Sequence, residues 1–396
     1  MMSAHAARGS ADQRLDEIDG LRALAMTMVV AQHCGIAPFG WTGVWLFYCI
    51  SGFVITRRLV HGDRAEEGVS GRSRYMAFVY RRFFRIVPVY LLYLGLGSSL
   101  LLLAGQTEAV RNMPFLLTFT FNWQAIFRWW PAPDGPFGPL WTLSVEEQFY
   151  LVFPLLFLFL PRRTFLPVAC VLILAGPLIR HLMSLALYSL DADPGFVAFG
   201  VYASSFTQFD AFLMGALVAC RESWIRARPF TVACLSVFAA LAMLAYVGGY
   251  ATINHMNGAR GVDVLRNIVS GTLSGQGREA VLYSVLDLVW ISAIMWAVLK
   301  PKLLRPLAWP IVTLVGRVSY GGYLYHALVL WVLFTSVLHG DPVLDIPSRI
   351  ALFVVVWCTT VALAIATYHW FEMPIMAWAN RRRRRQGNLG QTRGAA

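Results

Sequence analysis

Three groups of ionisable side chains interrupt otherwise apolar stretches of this sequence, and each has a spacing that chemistry can use. The first is Asp19, Arg22 and His33. Residues eleven apart on an α-helix return nearly to the same azimuth. Arg22 and His33 therefore share a stripe, about 16 Å apart along the axis, with Asp19 one turn below Arg22. The second is Ser144, Glu146, Glu147 and Tyr150, where Glu146 and Tyr150 face the same way at i and i+4. The third is Arg82 and Arg85, paired at i and i+3 just ahead of Pro88. Near neutral pH, an imidazole such as His33 serves as a general base or a nucleophile. A carboxylate bonded to its second ring nitrogen would fix the tautomer; Glu146 is the first candidate for that partner and Asp19 the second. Arginines offer planar, bidentate donors to phosphate. Each group also has a structural reading: a neutral histidine packed between helices, a carboxylate pair holding helices together, and arginines that anchor a loop or snorkel to the interface.

The elements that must position these groups follow from composition. Hydrophobic residues make up 58% of the 396 residues and charged residues 14%, with a mean hydropathy of +0.58. Soluble chains carry roughly a quarter charged residues, so lipid is the solvent for most of this one. Apolar segments near the length of a spanning helix lie at 18–38, 41–60, 86–105, 140–160, a fifth ending near 190, 206–220, 230–250, 281–299, 320–338 and 350–371. The expected fold is an all-α, polytopic transmembrane helix bundle of about ten spans with both termini cytoplasmic. Residues 1–17 are read as a cytoplasmic segment, 18–375 as the membrane domain and 376–396 as a basic cytoplasmic tail. Orientation rests on arginine-rich loops between spans, densest over 57–85. The net charge of +12 is spread in such clusters, which argues for anionic headgroups as the partner and against nucleic acid. The six cysteines show no CxxC or metal-ligand spacing, so neither a disulfide framework nor a metal site is expected. No internal repeat of the kind common in transporters is evident.

The motifs around the ionisable groups resemble the acyltransferase 3 family of integral-membrane sugar O-acyltransferases. Asp19-Gly20-Leu21-Arg22 followed by His33 is similar to that family's arginine and histidine separated by ten residues. Leu46 to Ile55 resembles its LFFVLSGFLI segment, Arg82 to Pro88 its RxxRIxP, and Leu140 to Tyr150 its LWSLSVExxFY. Gly316-Arg317-Val318-Ser319-Tyr320 with Tyr323-Leu324-Tyr325-His326 resembles the late GRISYxxYLxH box, and Phe371-Glu372-Met373-Pro374 the final ExP. Six motifs in order across the chain carry more weight than any one alone.

The resemblance implies a bacterial plasma-membrane enzyme that moves an acyl group, acetyl in the first instance, from cytosolic acyl-CoA to a hydroxyl of a saccharide or glycosylated acceptor. It implies His33 as base or transient acyl carrier, and Arg22, Arg82 and Arg85 at the donor's phosphates. Ser51, Tyr150, Tyr320, Tyr323 and His326 are implied at the substrate. The sequence departs from the pattern in three places. Trp45 stands where the family often has an acid, and the late box lacks the tryptophan before and the proline after His326. No esterase-like domain follows, so transfer is expected to finish within the membrane domain or with a separate partner. Trp123, Trp129, Trp130 and Phe137 are aromatic candidates for stacking on a sugar, with interfacial anchoring the plainer role. A transporter or flippase with an intramembrane proton relay is the competing class; only a transferase would release coenzyme A.

Overall fold

In lipid, backbone groups must be satisfied inside their own segment, and the computed structural model shows that outcome. It describes residues 15–65, 69–128, 135–265, 267–271, 275–300, 302–338 and 344–393, and among these no strand occurs. Most of the expected segment 1–17, Trp129, Trp130 and the end of the basic tail lie outside them. In chain order the helices are α1 (Asp16–His33), α2 (Thr42–Ala65), α3 (Gly71–Leu103), α4 (Phe121–Arg128), α5 (Trp141–Phe159), α6 (Arg162–Tyr188), α7 (Pro194–Ala203), α8 (Phe209–Cys220), α9 (Glu222–Arg226), α10 (Pro229–Met256), α11 (Arg278–Leu299), α12 (Pro310–Arg317), α13 (Ser319–Ser336), α14 (Ile346–Thr367) and α15 (Met373–Arg393).

Local chemistry sets several of the starts. Ser70 caps α3 by accepting from the Ser73 amide, and Asp345 caps α14 by accepting from that of Ser348. Asp193 caps α7 in the same way, with proline following. The first turn of α1 holds Asp16, Glu17 and Asp19, charges that suit the helix dipole.

Seven helices among the described residues are long and apolar enough to cross a membrane, or eight if α12 and α13 form one broken span. Besides α13, which counts only as part of that pair, two expected spans fall outside this set for physical reasons. α1 brings four charged residues into 18. α8 has 12 residues, about 18 Å of helix, well short of a bilayer core. The arginine-rich segment over 57–85 is also helical for most of its length, since α2 runs to Ala65 and α3 starts at Gly71. Pro88 lies inside α3 instead of opening it.

The helices cluster into two compact units: residues 1–68, 114–132 and 140–317, and residues 69–113, 133–139 and 318–396. In the first, glycine lets helix backbones touch. A Cβ on Gly52 of α2 would collide with the Phe212 carbonyl of α8, and one on Gly215 of α8 with the Cys49 carbonyl of α2. Gly316 of α12 lies equally close to the Asp19 carbonyl of α1. In the second unit α15 packs on α3: the Tyr80 hydroxyl donates to the Ala379 carbonyl at 3.3 Å, and Phe84 meets Trp378 edge-on.

Candidate active site

The tightest polar constellation in the first unit joins α2 to α5. Glu146 and Tyr150 stand on successive turns of α5, and Ser51 faces them from α2. Oε1 of Glu146 accepts hydrogen bonds from both the Ser51 and Tyr150 hydroxyls, and those hydroxyls lie 2.9 Å from each other. Ser51 and Tyr150 are both buried. A carboxylate that takes two hydroxyl donors forms charge-assisted bonds and is placed to orient a hydroxyl or take its proton. Beside it, Gln148 donates to the Phe119 carbonyl at 2.8 Å and to Asn122 Oδ1 at 3.0 Å, and accepts from Ser205. That network fastens α4 under α5, so Trp123, a sugar-stacking or interfacial candidate, lies on a helix held by polar contacts.

On α1, the structure spreads the predicted residues along the helix. Asp19 lies 3.9 Å from Arg317 of α12 and Asp16 lies 3.7 Å from the same guanidinium. Fourteen residues, about 21 Å of helix, separate Asp19 from His33, so Asp19 serves the α1–α12 junction. Arg22 is half-buried, and its buried Nε has no hydrogen-bond partner among the described residues. His33 is the last residue of α1, and its side chain reaches accessible surface instead of being sealed between helices. Glu146 bonds to Ser51 and Tyr150 as described, which gives its carboxylate partners other than the imidazole expected from the sequence.

In the second unit Arg82 and Arg85 are half-buried on α3. The Arg82 guanidinium lies 5.8 Å from the centre of the Phe78 ring, and Arg85 is within electrostatic reach of the buried Glu372. The RxxR and ExP segments, nearly 300 positions apart in sequence, thus meet. Tyr320 donates to the Ile86 carbonyl at 3.5 Å and Tyr323 to that of Pro139 at 3.3 Å. His326 is wholly buried, with Nδ1 2.6 Å from the Tyr323 carbonyl of its own helix. Phe137 is buried against Tyr93 and offers no open face to a sugar. In the first unit Trp123 packs beside Phe206.

Trp45 stacks between Tyr283 and Tyr202, at 5.0 and 5.3 Å between ring centres. An aromatic cluster therefore fills the place where an acid was anticipated. Arg180, Asp210, Glu279 and Asp287 are also buried, and they stand outside every motif read from the sequence. The signal was the one used for His33 and Glu146, an ionisable residue breaking an apolar run, but no recognisable motif surrounds them. Among the described residues no group of three or more His, Cys, Asp or Glu side chains forms a metal site.

Apolar helices that carry hydroxyl, carboxylate and guanidinium groups within them mark a membrane protein with a functional interior. The chain belongs to the acyltransferase 3 family: residues 15–369 match the family model described as an acyltransferase domain. It is 25% identical over 381 residues to the peptidoglycan O-acetyltransferase OatA of Listeria monocytogenes, covering 90% of this chain and 55% of that protein. It is 26% identical over 390 residues to the putative peptidoglycan O-acetyltransferase YrhL of Bacillus subtilis, covering 90% and 54%. A putative O-acetyltransferase of Staphylococcus aureus is 28% identical over 217 residues, covering 51% and 34%. The chain thus spans about half the length of the first two relatives. No solved structure matches.

Proposed function

We propose that this chain transfers an acyl group, acetyl in the first instance, from cytosolic acyl-CoA to a saccharide hydroxyl at a bacterial plasma membrane. The observation that carries this reading is the match to an acyltransferase domain over residues 15–369. The relatives named as peptidoglycan O-acetyltransferases make a cell-wall glycan the first acceptor to try. In the reaction the acceptor O–H gives its proton to His33, its oxygen bonds to the acyl carbon, and the C–S bond breaks. Coenzyme A leaves as a thiolate and is then protonated. Alternatively, a ring nitrogen of His33 takes the acyl group first and passes it to the hydroxyl. Glu146 orients Ser51 and Tyr150 for the acceptor. Arg22, with a buried Nε that no described residue engages, and Arg82 and Arg85 are assigned to the donor's phosphates. Tyr320, Tyr323 and His326 are assigned to substrate contacts.

Purified protein in proteoliposomes, given acetyl-CoA and glycan fragments, is expected to release free coenzyme A and acetylate the glycan in equal amounts. A transporter would release none. His33→Gln is expected to lose transfer by at least about 100-fold, the usual scale of general acid–base catalysis, with normal membrane insertion. Transfer by His33→Gln within about tenfold of wild type, a change of about 1.4 kcal/mol in barrier, would remove His33 from the mechanism. For the donor, Arg85→Ala is expected to raise the acetyl-CoA requirement or abolish activity. Arg85→Lys should restore it only in part, because lysine lacks the planar fork.

A further inference from the structure

The transfer reaction as assigned leaves a polar stripe along α11 without a role. Glu279, Tyr283 and Asp287 stand at i, i+4 and i+8 and so share one face of the helix. Arg180 and Ser184 of α6 face them, one turn apart. Ser184 donates to Glu279 Oε1 at 2.8 Å. Arg180, with no exposed surface, donates to Asp210 Oδ2 of α8 at 2.8 Å and to the Thr207 carbonyl at 2.7 Å. It also donates to the Ala280 carbonyl at 3.3 Å and to the Ser284 hydroxyl at 2.5 Å. Its guanidinium lies 5.6 Å from the centre of the Tyr283 ring. Asp287 is fully buried, within electrostatic reach of Asp210 and Arg180, and among the described residues neither of its carboxyl oxygens has a hydrogen-bond partner. Oε2 of Glu279, also buried, has none either. Cys49 of α2 faces Asp287 and Asp210. Tyr246 of α10 and Tyr202 of α7 flank Tyr283.

Counting charge decides what this stripe must hold. Three buried carboxyls, Asp210, Asp287 and Glu279, share one buried guanidinium, and Arg180 is committed to Asp210. An ionised Asp287 would be a buried anion without a donor among the described residues, about 13 Å along α11 from Arg278. Such a group is far more costly than a neutral acid. A bound proton removes that cost.

We propose that Asp287, Glu279 and the Arg180–Asp210 pair form a proton-exchange site, with Asp287 the inner proton-binding position and Glu279 the position next to the loop before α11. Its use in catalysis rests on the acyl-transfer reading. In that reaction the acceptor's proton goes to His33, and the departing coenzyme A thiolate then takes up a proton. The stripe's acid gives its proton to that thiolate and is reprotonated by the proton His33 took from the acceptor, so the O–H bond that breaks re-forms, with no change in electron count.

The test uses the full chain in lipid nanodiscs, first without any acyl donor. At neutral pH the infrared spectrum of the wild type is expected to contain a protonated-carboxyl stretch. That band should shift in D₂O and be missing from Asp287→Asn. Glu279→Gln should slow the D₂O shift. Asp287→Asn replaces a neutral acid by a neutral isostere, so its melting midpoint is expected to match the wild type while acetyl transfer falls by about 100-fold. The proposal is overturned if no such band depends on Asp287, if the band never exchanges, or if Asp287→Asn keeps full transfer. It is also overturned if sodium at constant ionic strength stabilises the wild type but not Asp287→Asn, which would make the site a cation site. Should Asp287→Asn fail to fold, D₂O exchange in the wild type and in Glu279→Gln still decides. Because the spectral measurements need no acyl-CoA, a wild type without transferase activity would sink the functional reading and leave the proton site to be judged on its own data.

Discussion

Glu146 accepts from two hydroxyls at once, and that double role separates its chemistry from its packing. A glutamine there can still accept one bond but carries neither the charge nor the proton affinity of a carboxylate. Glu146→Gln is expected to insert normally and to lose about 100-fold in transfer rate, read as acetylated glycan per unit of protein. Tyr150→Phe removes one hydrogen bond and should cost about 1 kcal/mol in folded stability. A surface counterpart is Glu222, which accepts from Arg57 and Arg226, each at 2.8 Å. Burial would raise its carboxyl, but the hydrogen bonds from Arg226 and Arg57 outweigh burial and hold it below the usual 4.5. A lowered folded-state value stabilises the protein above the unfolded value, and that stabilisation fades as pH falls through the folded one. Glu222→Gln should therefore lower the melting midpoint at pH 7 and shrink the wild type's advantage in the acid range. Glu146, Ser51 and His33 stand out in the sequence because each sits in a recognisable motif. Arg180, Asp210 and Asp287 appear there as isolated charges on three different segments. Only the approach of α6, α8 and α11 shows that they belong together.

At the scale of elements, contact between helix backbones is what single substitutions disturb most. Gly316→Ala places a methyl against the Asp19 carbonyl, and Gly52→Ala places one against that of Phe212. Backbone cannot swing aside as a side chain can, so each change is expected to cost at least the roughly 1–3 kcal/mol of an overpacked core. Gly248 of α10 has nothing within 4 Å of its Cβ position, and Gly248→Ala should be neutral or stabilising by up to about 1 kcal/mol. Thermal melting in detergent would check all three; a Gly316→Ala variant as stable as Gly248→Ala would mean the α1–α12 approach is looser than described. Most of the long helices were readable as apolar runs, and residues 281–299 fall inside α11 almost end to end. Hydropathy could not show that residues 206–220 form only the 12-residue α8 or that α3 continues through Pro88. An apolar window has the same composition whether its helix is whole or broken.

The broken helices bear on the path of the whole chain through the membrane. Counting only the long apolar helices, four lie between residue 72 and residue 263: α3, the stretch ending with α5, α6 and α10. An even number returns residue 263 to the side of residue 72. Arginine distribution argues for the opposite arrangement. Eight arginines lie over 57–85 and three more follow α8 directly, at Arg221, Arg226 and Arg228, whereas the loop over 257–277 holds only Arg260 and Arg266. Positive charge gathers on the cytoplasmic side, so the chain is expected to cross once more between α6 and Arg221. α7 and α8 have 10 and 12 residues, together about 33 Å of helix, enough for one crossing made of two halves. With α1 and the α12–α13 pair treated likewise, both termini are expected in the cytoplasm. In a background lacking the six native cysteines, Asp263→Cys should react with a membrane-impermeant thiol reagent on intact cells. Arg72→Cys should react only after the cells are opened. If both positions label alike in intact cells, α7 and α8 do not cross, and the four-helix count is the correct one.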